Sequence, residues 1–417
     1  MVAKLTAEYR FFLSMPPNMR VLLITNMLYS LVLPVIEIFM AAYIMRYFAD
    51  TSYVAIFQVA MYTGVIITSL TNGFLLKSFK VAHLYSFGIL LSGLSMAGMM
   101  FVKDITLPGL IVAGTLIGAA SGFFWTNRYL MALNTTNDEN RNYFFGLESF
   151  FFTISSIAVP VTIGAMLASI DGVRILGMTF DIYQGYRVVT IVVFAITIGA
   201  CFSLARGKFE NPLQKDFLYF RFGSLWNKQI LLAILKGLVQ GFLVTAPAML
   251  IMKYVGKEGS LGLIQGISGG LTAILLYLLG RFAKPEHRIV IFGVGITIFL
   301  VGTIVNGIEL SMVGVIVFVL CKVFFQPLHD LPYFPIMMKV IDVMSARENR
   351  NKYAYILNHE FGLYVGRVTG LGLFIFLALY VSESFALRYS LIIVAALQML
   401  SIPLASNIMK HSYSTQP

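Results

Sequence analysis

The chain contains one four-residue stretch twice, as Glu139-Asn140-Arg141-Asn142 and, half a chain length later, as Glu348-Asn349-Arg350-Asn351. Each copy follows a long apolar segment and precedes another one. A polar stretch at equivalent places in two halves indicates an internal repeat. We therefore predict a hinge-like cytoplasmic loop in each half, with two unrelated polar loops as the alternative.

Apolar segments of membrane-spanning length occupy most of the chain around these two stretches. The 417 residues are 58% hydrophobic and only 12% charged, whereas soluble domains carry about 25% charged residues. A run of about 20 apolar residues is long enough to cross a bilayer as a helix. Barrel strands are shorter and alternate between apolar and polar residues. The sequence therefore predicts an all-α integral membrane protein.

We predict twelve membrane spans, numbered 1 to 12 in chain order and divided into two six-helix bundles. The N-terminal bundle comprises residues 1–206, a cytoplasmic linker 207–227, and the C-terminal bundle 228–417. Helical boundaries taken from sequence carry errors of about 2–4 residues. The predicted spans are about 19–46, 53–76, 82–102, 109–134, 143–169, 187–205, 229–254, 260–281, 288–307, 312–340, 353–381 and 387–409.

The basic residues predict the orientation of the chain in the membrane. The net charge is +11, and most Lys and Arg lie in short loops on the side that holds both termini. The positive-inside rule places that side in the cytoplasm. This distribution makes nucleic acid an unsuitable partner and the bilayer the expected one. We predict a multi-pass protein of the bacterial inner membrane, acting as a monomer.

Charged residues within the predicted spans are the first candidates for function. A charge at the centre of a membrane helix costs about 2.5–3.5 kcal/mol, so it is expected to face a cavity or a partner. Polar residues at helical spacing accompany these charges in spans 1, 4, 7 and 10. The charged candidates are Glu37, Arg128, Lys236, Lys322, Asp330 and Arg367.

Glycines and basic residues recur in the short loops and in span 5. The loop after span 2 contains Gly73, Lys77 and Lys80, without an acidic residue between them. The loop after span 8 is Gly280-Arg281-Phe282-Ala283-Lys284, and span 5 contains Pro160-Val161-Thr162-Ile163-Gly164. Together with two groups of six spans and a basic central loop, these motifs resemble the major facilitator superfamily of transporters. The family's acidic loop residue is absent here.

The resemblance implies two bundles that rock about a central site, with spans 1, 4, 7 and 10 lining the cavity. Transporters built from repeated halves hold their substrate near the bilayer midplane. Five of the six charged candidates fall in those four spans, and Arg367 falls in span 11. The predicted substrate-binding residues are Asn26, Trp125, Asn127, Arg128, Lys236, Gln240, Lys322, Gln326, His329 and Arg367.

The charges in these helices also predict the chemistry of the site. Glu37 and Asp330 are predicted to carry a coupling proton, because burial disfavours the charged form of a carboxyl group. Static pairing with a buried cation is the alternative. Arg128, Lys236 and Lys322 outnumber the two carboxylates, which predicts an anionic group on the substrate. That excess disappears if the carboxylates neutralise two of the cations.

Glu148 and Glu360 each lie shortly after one copy of the repeated stretch. We predict that they act as conformational latches, with Arg141 and Arg350 as partners. An acidic residue near a helix N-terminus is also favoured by the helix dipole. Capping is therefore the alternative explanation, and the two are compatible.

The sequence predicts a secondary active transporter that moves a small organic solute with an anionic group by alternating access, coupled to H⁺. No catalytic motif, ATP-binding segment, cofactor or metal centre is predicted, and the protein is not expected to be an enzyme. A divalent-metal transporter is one alternative, because His329, Asp330, His359 and Glu360 are possible ligand types. A non-transporting membrane receptor on the same scaffold is the other.

Overall fold

The computed structural model describes residues 10, 12–101, 105–136, 138–170, 172, 174–175, 178–179, 181–210, 218–282 and 285–414. Within them, twelve helical spans are long and apolar enough to cross a membrane, as predicted. The helices, from span 1 to span 12, are Pro17–Ser30 with Met40–Phe48, Thr51–Leu75, Val81–Phe101, Leu107–Thr135, Asp138–Ile170, Ile182–Ala205, Ser224–Tyr254, Glu258–Phe282, Arg288–Ile308, Met312–Glu348, Lys352–Tyr380, and Glu383–Gln398 with Ser401–Ser414.

Span 1 is interrupted rather than continuous. Its first α-helix ends at Ser30, a π-helical turn covers Val35–Phe39, and the second α-helix begins at Met40. Pro34 lies directly before the π-helical turn. Proline has no N–H to donate and its ring disturbs the preceding turn, which accounts for the irregularity. Such turns are frequent at functional sites, and this one contains Glu37.

Two helix boundaries differ clearly from the prediction, one of them for an identifiable reason. Span 6 begins at Ile182 because Asp181 and Gln184 form a reciprocal capping box. The Gln184 N–H donates to Asp181 at 2.7 Å, and the Asp181 N–H donates to the Gln184 side chain at 3.1 Å. These bonds satisfy otherwise unpaired donors at the helix start. Span 10 continues to Glu348, eight residues beyond the predicted end at 340.

The two copies of the repeated stretch adopt different structures. The first lies inside the helix Asp138–Ile170, so the predicted loop is wrong at that position. At the second copy, the helix ends at Glu348 and Asn349 has a left-handed φ of 48°. The side chain of Asn351 then accepts the Tyr353 N–H at 3.0 Å and caps span 11. The predicted loop is therefore confirmed only for the second copy.

The helices form two six-helix bundles that meet along two pairs of spans. Span 2 packs against span 11, and span 5 packs against span 8. Glycines allow the backbones of spans 5 and 8 to approach closely. A Cβ atom added at Gly262 would lie only 2.2 Å from the carbonyl oxygen of Pro160. This contact brings the two bundles together near the membrane face opposite the termini.

Within the first bundle, we expect Gly118→Ala to lower the unfolding temperature. The added Cβ would lie 1.9 Å from the Met61 carbonyl oxygen of span 2, and forcing extra atoms into a packed core costs about 1–3 kcal/mol. Gly98→Ala is the control, because its Cβ meets nothing within 4 Å. Thermal unfolding in detergent measures both variants. Equal unfolding temperatures for the two would contradict the packing argument.

Candidate functional site

A cavity of about 680 Å³ lies between the two bundles. Its volume falls in the range of about 300–1,000 Å³ that is typical of small-molecule sites. Spans 7, 8 and 10 of the second bundle supply most of its walls, and spans 1 and 5 of the first bundle supply the rest. Span 4, which the resemblance placed in the lining, contributes no residue to this cavity.

Glu37 and Lys322 line the cavity from opposite bundles. Glu37 is exposed to the cavity and Lys322 is partly buried. Each acts electrostatically on the other. Neither forms a hydrogen bond or an ion pair within 4 Å to a residue that the structure describes. The cavity therefore contains one carboxylate and one ammonium group whose hydrogen-bonding capacity is unused.

Lys236 and Asp330 line the same cavity but form an ion pair. Lys236 Nζ lies 2.6 Å from Asp330 Oδ1 and 4.1 Å from the ring centroid of Tyr333. His329 Nδ1 lies 3.1 Å from the same carboxylate oxygen. The Gln398 side-chain nitrogen lies 3.0 Å from His329 Nε2. This pattern fits a neutral imidazole that accepts at Nε2 and donates from Nδ1 to Asp330.

The charges that line the cavity are balanced. Glu37 and Asp330 supply two negative charges, and Lys236 and Lys322 supply two positive ones. The excess of positive charge predicted from the sequence depended on Arg128. Arg128 lies outside the cavity lining, so it adds nothing to this balance. An anionic substrate must then be argued from Lys322 rather than from the overall charge.

Arg128 belongs to a buried polar network inside the first bundle. Its guanidinium forms a bidentate ion pair with Glu148, with Nε 2.8 Å from Oε1 and Nη2 in contact with Oε2. Asn26 donates to Glu148 at 2.6 Å and accepts from the Tyr85 hydroxyl at 2.5 Å. The ring centroid of Trp125 lies 5.1 Å from the guanidinium carbon. Three predicted substrate-binding residues, Asn26, Trp125 and Arg128, therefore belong to this network and do not line the cavity.

The other predicted binding residues divide between the cavity and the packing around it. Gln240 and Gln326 line the cavity. Asn127 instead exchanges side-chain hydrogen bonds with Asn72 at 2.8 and 3.1 Å. Arg367 donates to the Gln240 side chain at 2.8 Å and lies over the ring of Tyr62 in span 2. The binding roles of all these residues remain predictions.

Three of the four predicted latch residues have described side chains, and each of these forms an ion pair within its own bundle. Glu148 pairs with Arg128, as described above, and Glu360 lies 3.8 Å from Arg367. Arg350 pairs with Glu348 at 2.9 Å. The Arg141 side chain lies outside the described residues. A latch role would require other partners in a second conformation, and it remains a prediction.

Several polar contacts join the two bundles at the face opposite the termini, and the sequence analysis did not identify them. Arg46, near the end of span 1, holds Glu258, at the start of span 8, through contacts of 2.6 and 2.7 Å. The Tyr186 hydroxyl donates to the same carboxylate at 3.2 Å. The Thr51 hydroxyl donates to Glu383 at 2.8 Å. Among ion pairs between described residues, Arg46–Glu258 is the one that joins the two bundles.

Neutral polar residues of span 8 also line the cavity and were missed by the sequence analysis. Gln265, Ser268 and Thr272 recur at steps of three and four residues and face the same space. Thr153 and Ser156 of span 5 line it as well. The helical spacing was readable in the sequence. The sequence analysis considered polar residues only where they accompany a charge in spans 1, 4, 7 and 10, so it did not find these residues in span 8.

The fold and the cavity define a class of protein. Two six-helix bundles around a central cavity of solute size are the architecture of a membrane transporter. The sequence matches the profile of the Major Facilitator Superfamily over residues 22–370. The chain therefore belongs to the Major Facilitator Superfamily, and this assignment points to a transporter rather than an enzyme.

Individual relatives are distant in sequence. The uncharacterized protein YqgE of Bacillus subtilis (strain 168) is 20% identical over 380 residues, covering 88% of this chain and 84% of that protein. The solved structure of the POT family transporter PepTSo has a TM-score of 0.73 at 11% identity, covering 96% and 99% of the two chains. A bacterial homologue of the iron transporter ferroportin, in an inward-facing state, has a TM-score of 0.65 at 13% identity, covering 94% and 98%. These structures share the fold with this chain.

The described residues contain no group of three or more His, Cys, Asp or Glu side chains placed to hold a metal ion. His359, which was considered as a ligand type, has its Nε2 2.6 Å from the Tyr333 hydroxyl. His329 contacts Asp330 and Gln398. Both imidazoles are therefore engaged in hydrogen bonds within the second bundle.

Proposed function

We propose that this protein is a proton-coupled transporter of a small organic anion, located in the bacterial inner membrane with both termini in the cytoplasm. The observation that supports the coupling most directly is that Glu37 and Lys322 line the same cavity. The two opposite charges line one cavity from different bundles and lack closer partners among the described residues. A solute bound between them would contact both bundles.

The proposed coupling follows from the electrostatics of this pair. While Glu37 is ionised, its negative charge offsets the attraction of Lys322 for an anion. A proton on Glu37 removes that charge and leaves Lys322 free to bind a carboxylate or phosphate group. Proton and anion then bind with mutual reinforcement, so they cross the membrane together. Asp330, which is ion-paired with Lys236, is the second carboxyl group that lines the cavity. We propose it as an additional proton site.

A divalent metal ion is the alternative cargo. One solved structure that shares the fold is of a ferroportin homologue. The positive charge of Lys322 opposes a cation at the position where Glu37 would bind it. For this reason the organic anion is the better supported substrate class.

We expect Glu37→Gln to abolish solute accumulation driven by an imposed pH gradient in proteoliposomes. The amide cannot exchange a proton, but it has nearly the same shape as the protonated carboxyl group. Exchange of labelled for unlabelled solute across the membrane, which needs no net proton movement, is expected to persist. A panel of mono- and dicarboxylates, phosphate esters and divalent metal ions identifies the transported class.

Glu309→Gln provides the control, because Glu309 is exposed at the end of span 9 and lies outside the cavity lining. It makes the same chemical change without altering the pair. Gradient-driven accumulation that survives Glu37→Gln would rule out coupling through Glu37. Uptake of metal ions alone, without any organic anion, would favour the alternative cargo.

A further inference from the structure

We infer that the polar strip of span 8, defined as Gln265, Ser268 and Thr272, selects a polyhydroxylated organic acid as the substrate. The inference rests on the proposed function, because it assumes that Lys322 receives the acidic group of the same solute. The inference concerns the part of the solute that does not contact Lys322. All three side chains of the strip line the cavity with Lys322.

The strip consists of unused hydrogen-bonding groups. Its side chains form no hydrogen bond to any residue that the structure describes. Elsewhere in these helices, hydroxyl groups donate to a carbonyl one turn earlier, as in Thr297 to Gly293 and Thr369 to Val365. That local bond is the usual way for Ser and Thr to satisfy themselves within a helix. Ser268 and Thr272 do not use it, so their hydroxyl groups remain available to a solute.

The spacing of the strip matches a chain of hydroxyl groups. Seven residues of α-helix separate its ends, which corresponds to about 10 Å along the helix axis. Each side chain offers both a donor and an acceptor, as a hydroxyl group does. Across the cavity, Gln326 of span 10 also lacks a hydrogen-bond partner among the described residues. An extended solute with one hydroxyl per carbon could bond to several of these groups at once.

The strip would favour hydroxylated solutes because buried polar side chains without hydrogen-bond partners are costly. A site built to bond hydroxyl groups disfavours an analogue that lacks them, because its own polar groups then lose water without gaining partners. A purely aliphatic acid of the same length would retain only the contact with Lys322. The strip therefore predicts discrimination between two acids that carry the same carboxylate.

Gluconate and hexanoate provide the direct test, since both are six-carbon carboxylates and only gluconate is hydroxylated. We expect the purified protein to bind gluconate at least about tenfold more tightly than hexanoate, as measured by calorimetry in detergent. The double variant Ser268→Ala/Thr272→Val is expected to weaken gluconate binding about tenfold and to leave hexanoate unchanged. Thr297→Val, on an exposed face of span 9, is the control for folding and should change neither affinity.

Equal affinity for the two acids would overturn the inference, and so would a preference for gluconate that survives the double variant. Absence of gluconate binding would also overturn it. Lys322→Met separates this inference from the proposed function, because it should weaken binding of both acids. Undiminished affinity for both acids in Lys322→Met, with the strip-dependent preference for gluconate intact, would support the strip and contradict the anion site.

Discussion

Glu258→Gln is expected to shift the protein towards conformations that are open at the face opposite the termini. Glu258 is only 1% exposed and accepts hydrogen bonds from Arg46 and Tyr186, both in the other bundle. The amide removes the charge that holds Arg46 and keeps the size of the side chain. An equilibrium constant changes tenfold for about 1.4 kcal/mol. We expect the ratio of open to closed conformations at this face to rise about tenfold or more. This bidentate pair can contribute that much, although Arg46 is partly exposed and the cost is therefore below the value of about 3–5 kcal/mol for a fully buried pair.

Distances between spin labels on spans 1 and 8, at their ends on the face opposite the termini, measure this shift. The labels require a background without Cys201 and Cys321, the only two cysteines of the chain. Asp342→Asn is the matched control, because it breaks the Lys352–Asp342 pair, which is exposed and lies within one bundle. If Glu258→Gln and the parent protein give the same distance distribution, this ion pair does not hold the bundles together.

If the proposed transport proceeds by alternating access, the Arg46–Glu258 contact is one that must break and re-form during the cycle. It joins the two bundles at the face opposite the termini, and the close approach of Gly262 to Pro160 packs spans 5 and 8 together nearby. Span 8 carries Glu258 at the end that lies on the face opposite the termini, and it carries the polar strip in its middle. A solute that draws the strip towards Lys322 would therefore act on the same helix that holds this contact. Binding and opening would then be coupled through one rigid element.

The membrane spans were predictable because the bilayer imposes a simple rule on sequence. Every backbone polar group must be paired within the hydrocarbon region, so each crossing is a long apolar helix. Local side-chain bonds then adjust the ends, as the capping box of Asp181 and Gln184 does for span 6. The break in span 1 depended on Pro34, whose effect was visible in the sequence but was not used.

The site was only partly predictable, for reasons that differ between residue types. Glu37, Lys236, Lys322 and Asp330 were found because a charge within a span is costly and therefore conspicuous. The partners of charges were not predictable from spacing. Arg46 and Glu258 are 212 positions apart, and only the folded structure brings them together. Gln240 and Gln326 were predicted because they lie in spans with a buried charge, whereas Gln265 lies in span 8, which has no charge near its middle.

Breaking the Arg128–Glu148 pair is expected to produce the largest loss of stability among the changes considered. Both residues are buried, with Arg128 8% and Glu148 2% exposed. Arg128→Met would leave a buried carboxylate without its cation, and removing one partner of a buried pair costs about 3–5 kcal/mol. Thermal unfolding in detergent is expected to occur at a markedly lower temperature. Arg128→Lys should recover only part of the loss, because lysine cannot form the bidentate contact.

The double variant Arg128→Met/Glu148→Gln distinguishes a packing role from a role in transport. Replacing both charges removes the uncompensated carboxylate, and such paired replacements are often neutral or stabilising. We therefore expect the double variant to be more stable than Arg128→Met alone. If it also accumulates solute as the parent does, Arg128 is a structural residue and its predicted contact with substrate is wrong. If stability returns while uptake remains lost, the pair takes part in transport, and Arg128 must exchange Glu148 for another partner during the cycle.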